Sequence, residues 1–361
     1  MTTTLNTTTK TLLSIENLTV TVPGAARPLL DSVSLNVAEG EVVGLVGESG
    51  SGKSTTAKAA LGLLPDGATT TGTVRVDGSD VLSLRGEALR KHRSETVAMI
   101  HQDPRAALNP VRRIGDFLTE RGATKDEALD LLAAVGLPDP ARHLRQRPHE
   151  LSGGMLQRVV IAGALAARPR LLLADEATSA LDVTTQAEIL TQLREARASR
   201  GAGLLFITHD LHLAAAYCDR VHVMYAGRVV EHRTADALFT TPAHPYTRGL
   251  LACSPSLGES RALAPIPGRP PSLSDTFTGC PFVDRCGEAD DACTTWHPEP
   301  TPVRDGGTVT CRRTAPQSPQ GLQMEPLRRL SRPVRQDSRE GAGWGRQPTV
   351  PRDETKGADP K

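Results

Sequence analysis

From residue 11 to about residue 258, short β-branched and leucine-rich runs alternate with helical periodicity, which predicts a mostly parallel sheet crossed by helices. The apolar run at 41–46 leads into a glycine-rich turn and then a helix from Ser54 that Pro65 ends. A second helix is predicted over 155–167, stopping before Arg168 and Pro169, because a residue ahead of proline is pushed out of the helical region. Strands follow at 171–174 and at 203–208, the latter ending against His209. Thr124 and Glu127 have capping-box spacing ahead of the apolar run 128–135, so residues from about 103 to 150 read as a helical insertion.

Beyond 258 the pattern changes. Residues 259–314 are rich in Pro, Gly and Cys and lack the periodicity of an ordinary core, so a cross-link is expected to order them. Residues 315–361 are polar, proline-rich and nearly without aliphatic clusters, and are expected to be a disordered tail. A chain of 361 residues can bury a large α/β core without staples. Its 42 Lys and Arg against 41 Asp and Glu create no field that draws it to nucleic acid or anionic lipid, so membrane attachment must run through protein contacts. No run of 18 apolar residues occurs, and the opening MTTTLNTTTK lacks the apolar stretch of a secretory signal; a cytoplasmic chain is expected.

The glycine-rich turn carries the most specific chemistry. Gly47, Glu48, Ser49, Gly50, Ser51, Gly52, Lys53 and Ser54, followed by Thr55, fit G-x4-G-K-[ST] between a strand and a helix. Successive N–H groups of such a loop face anionic phosphates, Lys53 reaches the β and γ phosphates, and Ser54 holds Mg²⁺. The strand at 171–174 ends in Asp175 and Glu176 at the carboxyl edge, where ligands of open α/β sheets sit. Asp175 suits the metal's outer sphere and Glu176 the orientation or deprotonation of water. Acidic strand ends are common, and it is the combination with Lys53 that gives this pair weight. Leu151, Ser152, Gly153, Gly154 and Met155 make another small-residue turn at a helix start, a second anion cradle in one chain.

That second cradle resembles the signature motif of ABC ATPases, and further elements match that family in order: Gln102 the Q-loop, Ser179 and Asp182 the D-loop, and His209 the switch histidine. The resemblance implies a P-loop NTPase of the ABC type over 11–258, with a RecA-like core, an antiparallel β subdomain and a helical subdomain near 103–150, followed by a Cys-rich extension over 259–314. It implies that the signature touches the γ-phosphate of ATP on the opposite subunit, so that two chains are needed for hydrolysis. It also places Gln102 on Mg²⁺ and the water, and His209 on the γ-phosphate. One family feature is missing: no Phe, Trp or Tyr precedes Phe117, and Val22 stands where an adenine-stacking aromatic is expected. Weakened ATP affinity is the expectation.

Further stretches resemble the oligopeptide, dipeptide and nickel importer branch: Leu108-Asn109-Pro110, Ile114-Gly115, Pro148-His149-Glu150, the run from His244 to Leu251, and Pro265 to Gly268. Cys280, Cys286, Cys293 and Cys311 are separated by gaps of five, six and seventeen residues, enough thiolates for one tetrahedral or cubane site. The resemblance implies a [4Fe–4S] cluster; zinc, free thiols and a disulfide stay open on spacing alone. Cys218 and Cys253 read as ordinary small apolar residues. The implied partners are two transmembrane permease subunits, a second and related ATP-binding subunit, and an extracytoplasmic solute-binding protein, at the cytoplasmic face of the membrane. A soluble ABC ATPase acting on nucleic acid and a non-hydrolysing scaffold are the competing readings.

Overall fold

Alternate residues of each central strand face opposite sides of the sheet, and in this chain both sides are apolar. The computed structural model describes residues 10–177, 186–187, 189–191, 193–194, 201–254, 265–304 and 306–313. The D-loop positions Ser179 and Asp182 and the tail from 315 lie outside the described residues.

Strands β1 (Thr11–Thr21), β2 (Leu30–Ala38), β4 (Thr69–Val76) and β5 (Ser79–Asp80) form an antiparallel sheet in the order β2-β1-β4-β5. The larger sheet centres on β3 (Val42–Val46), β6 (Val97–Ile100), β7 (Leu171–Asp175), β8 (Gly203–Ile207) and β9 (Arg220–Tyr225), all parallel, with β10 (Arg228–Thr234) antiparallel to β9. Leu171 and Leu173 pack into the core shared with the antiparallel sheet, while Leu172 and Ala174 pack toward the helical insertion. Burial on both faces is why these strands read as continuous apolar runs.

The P-loop helix is Lys53–Ala59, shorter than its sequence suggests. It ends not at Pro65 but ahead of Gly62, whose φ of 63° is left-handed and closes the last turn. The signature helix, Gly153–Ala166, starts two residues earlier than the apolar pattern because Ser152 caps it. The insertion holds four α-helices, Pro104–Ala107, Ile114–Glu120, Lys125–Ala134 and Pro140–His143. Its capping box forms in both directions: Thr124 N–H donates to Glu127 at 2.8 Å and Glu127 N–H to Thr124 Oγ1 at 3.2 Å.

The expectation that residues past 258 have little core of their own needs correcting in its consequence. Two short strands, β11 (Thr301–Pro302) and β12 (Thr308–Val309), pair with each other, and β12 extends the large sheet by pairing with β10. Phe282 is buried against Tyr225 and Tyr246, with ring centroids 5.2 and 5.3 Å away. The described residues of this segment, 265–304 and 306–313, borrow the core of the preceding part. Among the described residues, no helix is long and apolar enough to cross a membrane.

Candidate functional site

The turn after β3 can be built only from glycine at its first position. Gly47 has φ 147°, and a Cβ there would lie 2.2 Å from the carbonyl oxygen of Met224. Lys53 Nζ donates to the carbonyls of Gly47 and Glu48, each at 2.8 Å, which holds its ammonium across the loop. Burial pushes the Lys53 pKa down, while Glu176, Asp175 and Glu48 oppose that shift. Ser54 Oγ donates to Asp175 Oδ1 at 3.0 Å, bringing two hard oxygens together as Mg²⁺ prefers. Ser51 Oγ is buried with no hydrogen-bond partner among the described residues, an acceptor and donor left for a ligand of this loop. Ser49 and Gly50 are exposed, and Thr55 is half-buried.

Asp175 ends β7 opposite Ile207 of β8, and Glu176 N–H donates to the Ile207 carbonyl at 3.0 Å. Burial pushes the Asp175 carboxyl up. Glu176 has φ 47°, a left-handed conformation that costs a residue with a side chain about 1–3 kcal/mol and is typical of functional sites. Its carboxylate meets two other predicted residues. Gln102 Nε2 donates to Glu176 Oε2 at 2.8 Å, and His209 Nδ1 lies 3.4 Å from the same oxygen. Gln102 comes from the loop after β6 and His209 from the loop after β8, so three adjacent strand ends deliver one cluster.

Gln157 has a part that its sequence position left unassigned. It is buried in the signature helix, and its Nε2 donates to the carbonyls of Ala177 at 2.7 Å and His101 at 3.3 Å. One side chain thus ties the residues flanking Gln102 and Glu176. A lone amide on the apolar face of that helix was the available signal. At the helix start, Ser152 Oγ accepts from Met155 N–H at 3.4 Å. Leu151 is buried, Ser152 and Gly153 are exposed, Gly154 and Met155 are half-buried, and a Cβ at Gly153 would meet nothing within 4 Å. The signature turn therefore faces open space. Val22, directly after β1, is half-buried.

Two of the stretches that resemble the importer branch, residues 244–251 and 265–268, pack on one another, and the first reaches the P-loop through Tyr246. Glu231 is fully buried and accepts the N–H groups of Ala243 and His244 at 2.8 and 2.9 Å, which seats the helix Pro245–Cys253. His244 Nδ1 caps that helix by accepting Tyr246 N–H at 3.0 Å. A Cβ on Gly249 would lie 2.9 Å from Ile266, so the glycine lets the Pro265–Gly268 stretch lie against the helix.

Cys280, Cys286, Cys293 and Cys311 line one cavity of about 20 Å³ together with His244, Phe282 and their neighbours. Burial pushes the Cys280 thiol up to about 11, and the other three thiols push the same way. Cys286 and Cys311 are also raised, first by burial. Among the described residues, no three His, Cys, Asp or Glu side chains are gathered as a single metal ion requires. The four expected ligands share a cavity but do not form a ready-made ion site. Cys218 is buried under Gly44, as a small apolar residue would be, and Cys253 is half-buried.

Residues 30–179 match the ABC transporter family, and residues 230–293 match the oligopeptide/dipeptide transporter C-terminal region. The oligopeptide transport ATP-binding protein OppD of Mycobacterium tuberculosis is 45% identical over 317 residues, covering 84% of this chain and 52% of that protein. OppD of Escherichia coli is 43% identical over 307 residues, covering 81% of this chain and 91% of that protein. The dipeptide transport ATP-binding protein DppD of Bacillus subtilis is 42% identical, covering 83% and 94%. The chain thus spans about half the length of its mycobacterial relative, at 52%, and nearly all of the other two. Among solved structures, a dimeric bacterial ABC transporter cassette superposes with a TM-score of 0.56 at 30% identity, covering 62% of this chain and 99% of that chain. A dimeric post-hydrolysis state of an ATP-binding cassette bound to ADP and Pi superposes with a TM-score of 0.55, at the same identity and coverage.

Proposed function

We propose, from the premise that this chain belongs to the oligopeptide and dipeptide transport ATP-binding proteins of the ABC transporter family, that it hydrolyses ATP to drive peptide uptake across a membrane. The observation that carries the reading is the meeting of Gln102, Glu176 and His209 one residue from the Ser54–Asp175 contact. A phosphate loop alone binds; this cluster adds a carboxylate positioned for water and an imidazole positioned for a terminal phosphate. Ser54, Asp175 and Gln102 are the residues that would hold Mg²⁺, which when bound neutralises charge between the β and γ phosphates. Glu176 orients and deprotonates the attacking water. Lys53 steadies the β and γ oxygens, and His209 hydrogen-bonds the γ-phosphate.

The exposed turn from Leu151 to Met155 serves the nucleotide of a second ATP-binding subunit, whose own turn completes this one. Ser179 and Asp182 keep the D-loop part that the resemblance implies. The remaining partners are two permease subunits at the cytoplasmic membrane face, docked on the helical insertion, and a solute-binding protein outside. Nickel or another small solute is the alternative cargo. Cys280, Cys286, Cys293 and Cys311 would be the residues that hold a [4Fe–4S] cluster in this reading. What supports the reading is the donor set, four soft thiols lining one cavity. Iron analysis and the visible spectrum of anaerobically purified protein check it; zinc at one equivalent with no iron overturns it.

The deciding experiment compares wild type with Glu176→Gln, which keeps the side-chain size but removes the base. Hydrolysis is expected to fall about 10²–10⁴-fold with nucleotide binding retained. A variant that turns over at the wild-type rate, or a wild type stimulated by nucleic acid rather than by the membrane subunits, rejects the proposal.

A further inference from the structure

The loop that carries Cys280 and Cys286 reaches the phosphate loop directly. Arg285, the residue before Cys286, donates from Nη1 to Glu48 Oε2 at 2.7 Å and from Nη2 to Glu48 Oε1 at 3.0 Å. Such a two-pronged pair fixes position as well as charge. The Arg285 side chain is 6% exposed and that of Glu48 24%, so solvent screens this pair far less than a surface one. Arg285 is itself fixed: Nε donates to the Pro267 carbonyl at 2.8 Å, and Nη1 reaches the Tyr225 hydroxyl at 3.3 Å.

Glu48 is also held through its backbone, where its N–H donates to the Tyr246 hydroxyl at 2.9 Å. Its carbonyl accepts from Lys53 Nζ at 2.8 Å. One residue of the phosphate loop is therefore gripped at side chain and backbone by residues beyond position 244, and it in turn sets where the lysine ammonium lies. A glycine-rich loop has many conformations to lose on binding, and holding it beforehand lowers that cost.

We infer that Arg285 is a positioning residue for nucleotide binding: through Glu48, the cysteine-bearing loop pre-sets the phosphate loop, so that a change at the cysteines is felt as a change in nucleotide affinity. This rests on the nucleotide-site reading above, and it goes beyond it by giving the C-terminal segment a part in the site.

The test measures binding of a fluorescent ATP analogue, together with KM, kcat and melting temperature, on the full chain. Arg285→Gln is expected to raise Kd and KM about five- to tenfold with kcat within about twofold, and Glu48→Gln to raise Kd and KM by a similar factor. The double variant is expected to be no worse than either single one, because both remove the same contact. Arg285→Lys, which keeps the charge but not the fork, falls between. Cys286→Ser raises Kd in the wild-type background and adds nothing to Arg285→Gln. Melting temperatures that fall while Kd stays at the wild-type value would show a fastening and nothing more, and additive effects of Cys286→Ser and Arg285→Gln also overturn the inference. Glu48→Gln is nearly isosteric and stays readable if Arg285→Gln does not fold. Lys53→Ala separates the two levels: if it binds nucleotide normally, the nucleotide-site reading fails. If it abolishes binding while the Arg285 and Glu48 variants bind like wild type, only this inference fails.

Discussion

His244 shows how one side chain sets a condition for the whole fold. It is buried, it caps the helix that carries Tyr246, and burial, reinforced by Arg248, pushes its pKa from 6.5 down to about 3. The folded chain therefore refuses a proton that the unfolded chain accepts. The stability this contributes is intact above 6.5 and is lost as pH falls from 6.5 toward 3, at up to about 1.4 kcal/mol per pH unit. His244→Asn keeps a capping acceptor without the titration. Its melting temperature is expected to fall less than that of wild type between about pH 7 and pH 5; parallel curves would refute the assignment. At the same scale, the left-handed backbone of Glu176 is a cost accepted where Gln102 and His209 meet it.

Two helices with contrasting duties can be separated by mutation. The helix Lys125–Ala134 begins in a complete capping box, remote from the phosphate loop in sequence and hydrogen bonding. Thr124→Ala is expected to cost about 1 kcal/mol in denaturant unfolding and to leave nucleotide affinity unchanged. The helix Pro245–Cys253 carries Tyr246 in its first turn and meets Ile266 at Gly249. Gly249→Ala crowds that contact, and about 1–3 kcal/mol of destabilisation is expected together with weaker nucleotide binding. Equal nucleotide affinities in both variants would mean that the second helix only supports the fold. The helix Gly153–Ala166 serves both halves, since Gln157 anchors the loops that carry Gln102 and Glu176 while Arg158 donates to the carbonyl of Gly136 in the insertion at 2.6 Å.

At the scale of the molecule, the P-loop, the acidic strand end and the C-terminal segment form one site, while the signature turn faces outward. A site completed by a second subunit makes a distinct prediction. Glu176→Gln with ATP and Mg²⁺ is expected to elute as a dimer, alone or with its related partner subunit. Adding Gly153→Asp, which places a negative charge where a phosphate would dock, is expected to abolish that dimer with nucleotide affinity of the single chain within about twofold. Size-exclusion chromatography with light scattering reads the outcome, and a dimer that persists with Gly153→Asp counts against completion in trans.

What the sequence determined by itself was whatever depends on neighbours along the chain. The glycine spacing around Lys53, the run ending in Asp175 and Glu176, the Ser152 turn and the Thr124–Glu127 box are local, because a turn, a strand end and a cap are each decided within a few residues. Gln102 and His209 were legible through their order relative to those motifs, although neither carries a local signature. Tertiary structure alone decided that both converge on one oxygen of Glu176, that Gln157 ties their loops, and that Arg285 grips Glu48 across more than two hundred residues. It also decided that a segment with little apolar periodicity is ordered by Phe282, β12 and ion pairs inserted into a core built elsewhere. Hydrophobic burial and charge pairing act between surfaces, and surfaces are brought together only by the fold.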